Sequence, residues 1–202
     1  MAVEQDIIAV DLDDVLFDFV GYFFTWHNQQ YGTALERKDM VLGAMIWDVW
    51  GGTKEEAAER IPAFFHDIDM LNIPPIPGAM AALHQLKESY GFHIVSARDR
   101  STKEVSTAWI ENYFPGVFMG VSLGIATPTD QTGSMSKAEM CLQIGAKTLI
   151  DDQVVHIQAA LDAGQQVLLF GDNPWNQVPT LPSGATRVSD WWAVLDVLQP
   201  AY

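Results

Sequence analysis

The chain is short of cysteine, of positive charge and of long apolar runs, and each shortage removes a class of protein. A single cysteine, Cys141, in 202 residues excludes an internal disulfide and any multi-cysteine metal site. It falls in an apolar helical pattern and reads as a packed core thiol. Eleven Lys and Arg stand against 26 Asp and Glu, a net charge of −15. A nucleic-acid backbone would be repelled, so no nucleic-acid partner is expected. A small anionic substrate needs only a local positive pocket and a metal. No run approaches the ~18 apolar residues that cross a bilayer. The first apolar stretch, Ile7 to Val10, follows a polar N-terminus that fits no signal peptide, and the expectation is a cytoplasmic protein with no membrane partner. Repeats and low-complexity tracts are missing too. With 49% apolar and 18% charged residues, the chain has the composition of one globular core, with room for a small insert.

Several short apolar runs alternate with helical patterns. Ile7 to Val10, Phe92 to Val95, Thr148 to Ile150 and Val167 to Phe170 read as buried strands, with Val117 to Val121 a weaker candidate; unbroken apolar runs suit a parallel sheet covered on both faces. Between them, Met80, Leu83 and Leu86, then Val105, Trp109 and Tyr113, then Val154, Ile157 and Leu161 mark helix faces. The alternation predicts an α/β doubly wound parallel-sheet core. One connection is long. Leu16 to Pro77 is aromatic-rich and helical in period, broken at Gly51-Gly52 and closed by Pro74-Pro75-Ile76-Pro77. The expected division is a core of residues 1–15 and 78–202 with a helical insert at 16–77.

Ligands of open α/β sheets bind beyond the carboxyl ends of the strands. Asp11-Leu12-Asp13-Asp14 follows the first strand, Ser96-Ala97-Arg98 the second, and Asp151-Asp152 a later one. Acidic clusters meeting at one edge repel unless a hard cation lies between them, and oxygen ligands favour Mg²⁺. Ser136-Lys137-Ala138-Glu139 has capping-box spacing and places Lys137 in a first helical turn, where an anion is favoured. Ser101-x-x-Glu104 repeats that pattern near Arg98.

These pieces, in this order, resemble the haloacid-dehalogenase (HAD) superfamily over nearly the whole chain. Asp11-Leu12-Asp13-Asp14-Val15 looks like its motif I, Ser96 motif II, Lys137 motif III and Asp151-Asp152 motif IV; the insert sits where a C1-type cap is carried over a Rossmannoid core. Leu16-Phe17-Asp18-Phe19, Pro75-Ile76-Pro77-Gly78-Ala79, Ala108 to Phe114 and Asp190 to Leu195 are closer to the 5′(3′)-deoxyribonucleotidase branch. Asp14 departs from that branch, which has glycine there. The resemblance implies a Mg²⁺-dependent phosphatase acting on a small phosphorylated metabolite, such as a nucleoside monophosphate. Asp11 would be the nucleophile that forms an aspartyl-phosphate, and Asp13 the general acid and base, its backbone carbonyl a metal ligand. Ser96 and Lys137 would bind phosphate oxygens, and Arg98 either a second substrate anion or a neighbouring carboxylate. Asp11, Asp151 and Asp152 would complete the metal site, with Asp152 favoured as the direct ligand. Phe19 and Trp47 are the candidate cap residues toward the substrate. Asp13 argues against dehalogenation, since halide leaves without a proton. A phosphomutase or a non-catalytic phosphometabolite-binding protein remains open at this point.

Overall fold

The computed structural model describes residues 5–124 and 135–199. In chain order its elements are β1 Asp6–Val10, α1 Phe19–Tyr31, α2 Lys54–Asp67, α3 Ala79–Leu86, β2 Tyr90–Ser96, α4 Lys103–Tyr113, β3 Phe118–Leu123, α5 Lys137–Ile144, β4 Ala146–Asp151, α6 Val154–Asp162, β5 Gln166–Phe170, β6 Ala185–Val188 and α7 Trp191–Leu198. The six strands form one parallel sheet in the order β3-β2-β1-β4-β5-β6. This is the α/β doubly wound arrangement expected of a HAD-like core. From β1 the chain winds outward through β2 and β3, then returns to β4 and winds the other way. The carboxyl ends of β1 and β4 therefore flank the switch point, where such sheets bind ligands.

Alternate residues of each strand feed two cores. Ile8 and Val10 join Ile94, Leu168 and Phe170 against α3, α4 and α7. Ala9, Val95, Leu149, Val167 and Leu169 pack on Met140, Cys141, Ile157 and Ala160 of α5 and α6. Cys141 is a buried core thiol whose pKa burial pushes up to about 12. The face of α3 is Ala79, Ala82, Leu83 and Leu86, whereas Met80 is exposed, so that helix is rotated from its expected phase. β6 escaped the sequence reading because Ala-Thr-Arg-Val is a short, mixed edge strand. No helix among the described residues is long and apolar enough to cross a membrane.

The segment between β1 and α3 contains α1 and α2, joined through short 3₁₀ turns at Arg37–Asp39 and Ile46–Trp50. Its aromatics pack together: Phe23 lies near Trp26, Trp50 and Phe64. They are continuous with the core on one sheet face. The two chain crossings into and out of this segment are tied to each other, Ile76 N donating to Leu16 O at 2.7 Å. Each is also tied to a fully buried tryptophan: Trp191 Nε1 donates to Val15 O at 2.8 Å and Trp109 Nε1 to Ile73 O at 2.9 Å. Trp109 also stands edge-on to Phe17, centroids 5.6 Å apart.

Trp109→Phe keeps most of that packing but strands the Ile73 carbonyl, so stability should fall by about 1–3 kcal/mol; Trp109→Ala should cost about 3–5 kcal/mol. Urea unfolding of both variants measures the difference between them.

Candidate active site

Four elements converge on the switch point. β1 is followed at once by Asp11, whose backbone N–H is held by Ile150 O at 2.9 Å. β4 ends in Asp151 and is followed at once by Asp152; β2 ends in Ser96. α5 begins with Lys137 behind the expected capping box, in which Ser136 Oγ accepts from Glu139 N and Glu139 Oε2 from Ser136 N. The parallel pattern at Ser101 and Glu104 does not form a box. Asp99 caps a 3₁₀ turn at Arg100–Thr102 instead, and Thr102 precedes α4 without a side-chain cap bond.

Lys137 is 2% exposed. Its ammonium bridges Asp11 Oδ2 at 2.7 Å and Asp151 Oδ2 at 2.6 Å. Burial presses this ammonium toward neutrality, but the two carboxylates outweigh it and hold its pKa above the ordinary lysine value. Asp11 is raised to about 6, first by burial, against which Lys137 works, and then by Asp151 and Asp13. Asp152 is raised well above the usual range by burial and by Asp151, Asp11 and Asp14. Oxygens of Asp11, Asp151 and Asp152 lie within 4.8 Å of one another. Three buried carboxylates facing a single ammonium are short of positive charge, and an all-oxygen donor set fits a hard divalent cation.

Asp11, Lys137 and Asp152 close one end of a cavity of about 560 Å³. Asp13, Ser96 and Phe19 line it as well, together with Met40, the 42–46 loop, Val154, Val155, His156 and Trp175. His156 is held neutral, its pKa lowered to about 3 by burial and by Lys137. Trp47 is not brought to the cavity: the turn that begins at Ile46 sends Ile46 to the wall and leaves Trp47 half-buried outside the lining. Nor does Arg98 line it. Its guanidinium grips Asp13, with Nη2 at 2.6 Å and Nε at 3.0 Å, donates to Ser106 Oγ at 2.9 Å, and lies between the Phe17 and Phe65 rings. Of the two roles open to Arg98, this arrangement is the pairing with a carboxylate. Asp13, so held, stays outside the three-carboxylate cluster.

A second group centres on Asp14, the departure from glycine in the first motif, and joins it to residues that carry no sequence signal. Asp14 adopts φ 55°, a left-handed conformation that glycine takes freely and aspartate tolerates. Its buried carboxylate accepts from Val20 N and from Arg37 Nη2 at 3.1 Å. The same Arg37 nitrogen bonds Asp18, Nη1 donates to Asn173 Oδ1 at 2.9 Å, and the guanidinium lies over the Trp175 ring. Burial exceeds this shared cation and raises Asp14 to about 8. Trp175 in turn donates to Asp152 Oδ2 at 2.6 Å. Arg37 lies beside Lys38 in a short charged turn and Trp175 is a lone aromatic after β5, so neither pattern nor spacing marks them.

This fold, with carboxylates, a lysine and a serine gathered where strand order reverses, is that of a HAD-like phosphatase. The family model for the 5′ nucleotidase, deoxy (pyrimidine), cytosolic type C protein matches residues 5–199, and the chain belongs to that family. Solved structures agree in fold. A protein described as a predicted phosphoglycolate phosphatase from Haemophilus somnus is 17% identical, with 98% of this chain and 100% of the other covered and a TM-score of 0.66. The HAD-hydrolase YfnB from Bacillus subtilis, bound to magnesium, is 13% identical, with 98% and 100% covered and a TM-score of 0.63. A haloacid dehalogenase-like hydrolase from Streptococcus pneumoniae is 18% identical, with 98% and 92% covered and a TM-score of 0.60. A search of curated protein sequences gives no match.

Two stability measurements on chelated protein test these electrostatics. Lys137→Met leaves two buried carboxylates without their cation and should cost about 3–5 kcal/mol at pH 8. The cost should shrink toward pH 5, where Asp11 takes up a proton. A lysine on the helix surface would show neither effect. The Asp14 carboxyl is raised from 3.8 to about 8, so between those values the folded state holds a proton that the unfolded state has lost. Its contribution to stability is full below about pH 4 and is lost as pH rises to 8. Asp14→Asn should flatten that decline in denaturant midpoints measured from pH 4 to 8; an unchanged slope would show that Asp14 is ionised throughout.

Proposed function

We propose that the protein hydrolyses a phosphate monoester of the nucleoside monophosphate type through an aspartyl-phosphate on Asp11. In this reading Mg²⁺ is held by Asp11, Asp152 and, through water, Asp151, and residues 16–77 serve as a cap. The observation that carries the proposal is Lys137, fixed 2.7 Å from Asp11 Oδ2 at the polar end of a cavity with otherwise mostly apolar walls.

Asp11 Oδ1 accepts from Leu12 N at 2.8 Å while Lys137 holds Oδ2, which sets the plane of the carboxylate for in-line attack on phosphorus. The P–O bond to the leaving group breaks as Asp13 gives that oxygen its proton. Asp13 then takes a proton from the water that attacks the aspartyl-phosphate, which releases phosphate and frees Asp11. Ser96 and Lys137 hold non-bridging oxygens, where phosphoryl transfer most needs positive charge and donors. Both oxygens of Asp151 are engaged, by Lys137 and by Gln153 N, whereas both donors to Asp152 fall on Oδ2. That asymmetry supports Asp152 as the direct ligand. Bound there, the cation would neutralise the carboxylates and polarise the phosphoryl group.

The walls bear on the substrate. Lys137 is the only Lys or Arg lining the cavity among the described residues, and Arg98 and Arg37 are committed to Asp13, Asp14 and Asp18. A second anionic group on the substrate would find no counter-charge, whereas an uncharged flat leaving group would meet Phe19, Met45, Ile46 and Val155. Phe19 continues a stack with Phe23 and Phe65, centroids 5.3 and 6.0 Å away. The family's nucleotidase name favours a nucleoside as that leaving group.

Phosphate release from nucleoside monophosphates should require Mg²⁺ and disappear in Asp11→Asn with the melting curve retained; a variant within tenfold of wild type would rule out Asp11 as nucleophile. Phe19→Ala should raise KM about tenfold for the nucleotide and leave a small generic phosphoester unaffected, since base–aromatic stacking contributes about 1–3 kcal/mol. Equal losses on both substrates would mean that Phe19 serves packing alone.

A further inference from the structure

We infer that Trp175 is the positioning residue for the cation-binding carboxylate Asp152, and that Arg37, lying over the indole, couples the 16–77 insertion to cation binding. The inference rests on the divalent-cation part of the function proposed above and adds to it residues outside the four motifs.

A carboxylate left to itself turns about its terminal bond and presents either oxygen. Asp152 is not left to itself. Trp175 Nε1 at 2.6 Å and Gln153 Nε2 at 2.9 Å both donate to Oδ2, which fixes the carboxylate plane and leaves Oδ1 without a donor among the described residues. An indole N–H only donates, so it favours the ionised acceptor that a cation needs.

The indole is itself bracketed. Trp175 is 3% exposed, in a 3₁₀ turn that opens with Pro174. The next residue, Asn176, is fully buried. It donates to Phe170 O at 2.9 Å and accepts from Arg187 Nη1 at 2.9 Å. So much fixed structure around one loop aims a single N–H at Asp152.

Arg37 reaches the same bracket from the insertion. Its guanidinium lies 5.1 Å from the Trp175 ring centroid and donates to Asn173 Oδ1, two residues before the tryptophan. A cation on the ring face draws electron density away from the indole and makes its N–H a stronger donor. Asp152, Trp175 and Arg37 thus form one line from the carboxylate cluster to the 37–39 turn.

The experiment is a calorimetric titration of chelator-stripped protein with Mg²⁺. Trp175→Phe, which keeps a ring but deletes the N–H, should weaken binding about ten- to a hundredfold. It should also diminish the rise in melting temperature that Mg²⁺ gives wild type. Arg37→Met should weaken binding several-fold in the wild-type background and not at all in the Trp175→Phe background. A wild-type protein that binds no Mg²⁺ would overturn the cation reading itself, and this inference with it. Equal affinities for wild type and Trp175→Phe would overturn the inference alone. An Arg37→Met effect that persists without the indole N–H would overturn the coupling. Should Trp175→Phe not fold, Arg37→Met, altered at a side chain about a third exposed, carries the test: unchanged Mg²⁺ affinity would overturn the inference.

Discussion

The constraint on which the rest depends is the buried ammonium of Lys137 between Asp11 and Asp151. Carboxylates at the ends of two adjacent parallel strands repel each other across a gap that excludes water. The repulsion is tolerable only because a helix start delivers a cation between them. That requirement fixes where α5 begins, keeps β1 and β4 side by side with Asp11 N on Ile150 O, and places Asp11 at the polar end of the cavity. One ammonium cannot balance three carboxylates. Ionising Asp152 there is a cost to folding, and in the proposed reading a divalent cation would offset it.

The segment between β1 and α3 obeys a different constraint. Its aromatics need cover, which they find in one another and on one sheet face, but packing alone does not define an orientation over the site. The tie between Leu16 and Ile76, with Trp191 and Trp109 behind it, fixes the base of that segment. Arg37 fixes its far side by meeting Asp14 and Asn173. Between these anchors the 42–46 loop forms a wall of the cavity.

How legible this was depends on how local each signal is. Strands such as Val167 to Phe170 and the capping box at Ser136 are written in consecutive residues, and both appear where the sequence places them. The carboxylates, Ser96 and Lys137 are legible because topology sends every strand end to the same edge, so position after a strand implies position in space. Trp47 is the expected cavity residue and Ile46 takes that place, because a 3₁₀ turn decides which side chain faces inward and periodicity is silent there. Arg37, Asp14 and Trp175 meet across more than 130 residues of chain, and no spacing rule reaches that far. Sequence leaves Arg98 between two roles, and the closure of Phe17, Phe65 and Ser106 around it holds it on Asp13.

The commitment of these cations has a consequence for how substrate arrives. Lys137, Arg98 and Arg37 all face inward onto carboxylates, so they add little to the field that a molecule meets at a distance. That field follows the net charge of −15. A doubly charged phosphate monoester must approach against it and encounters attraction only within the last few ångströms. Added salt screens the long-range repulsion while barely touching buried pairs. Encounter should therefore quicken as ionic strength rises, the reverse of the behaviour of enzymes that draw anions in through a basic funnel.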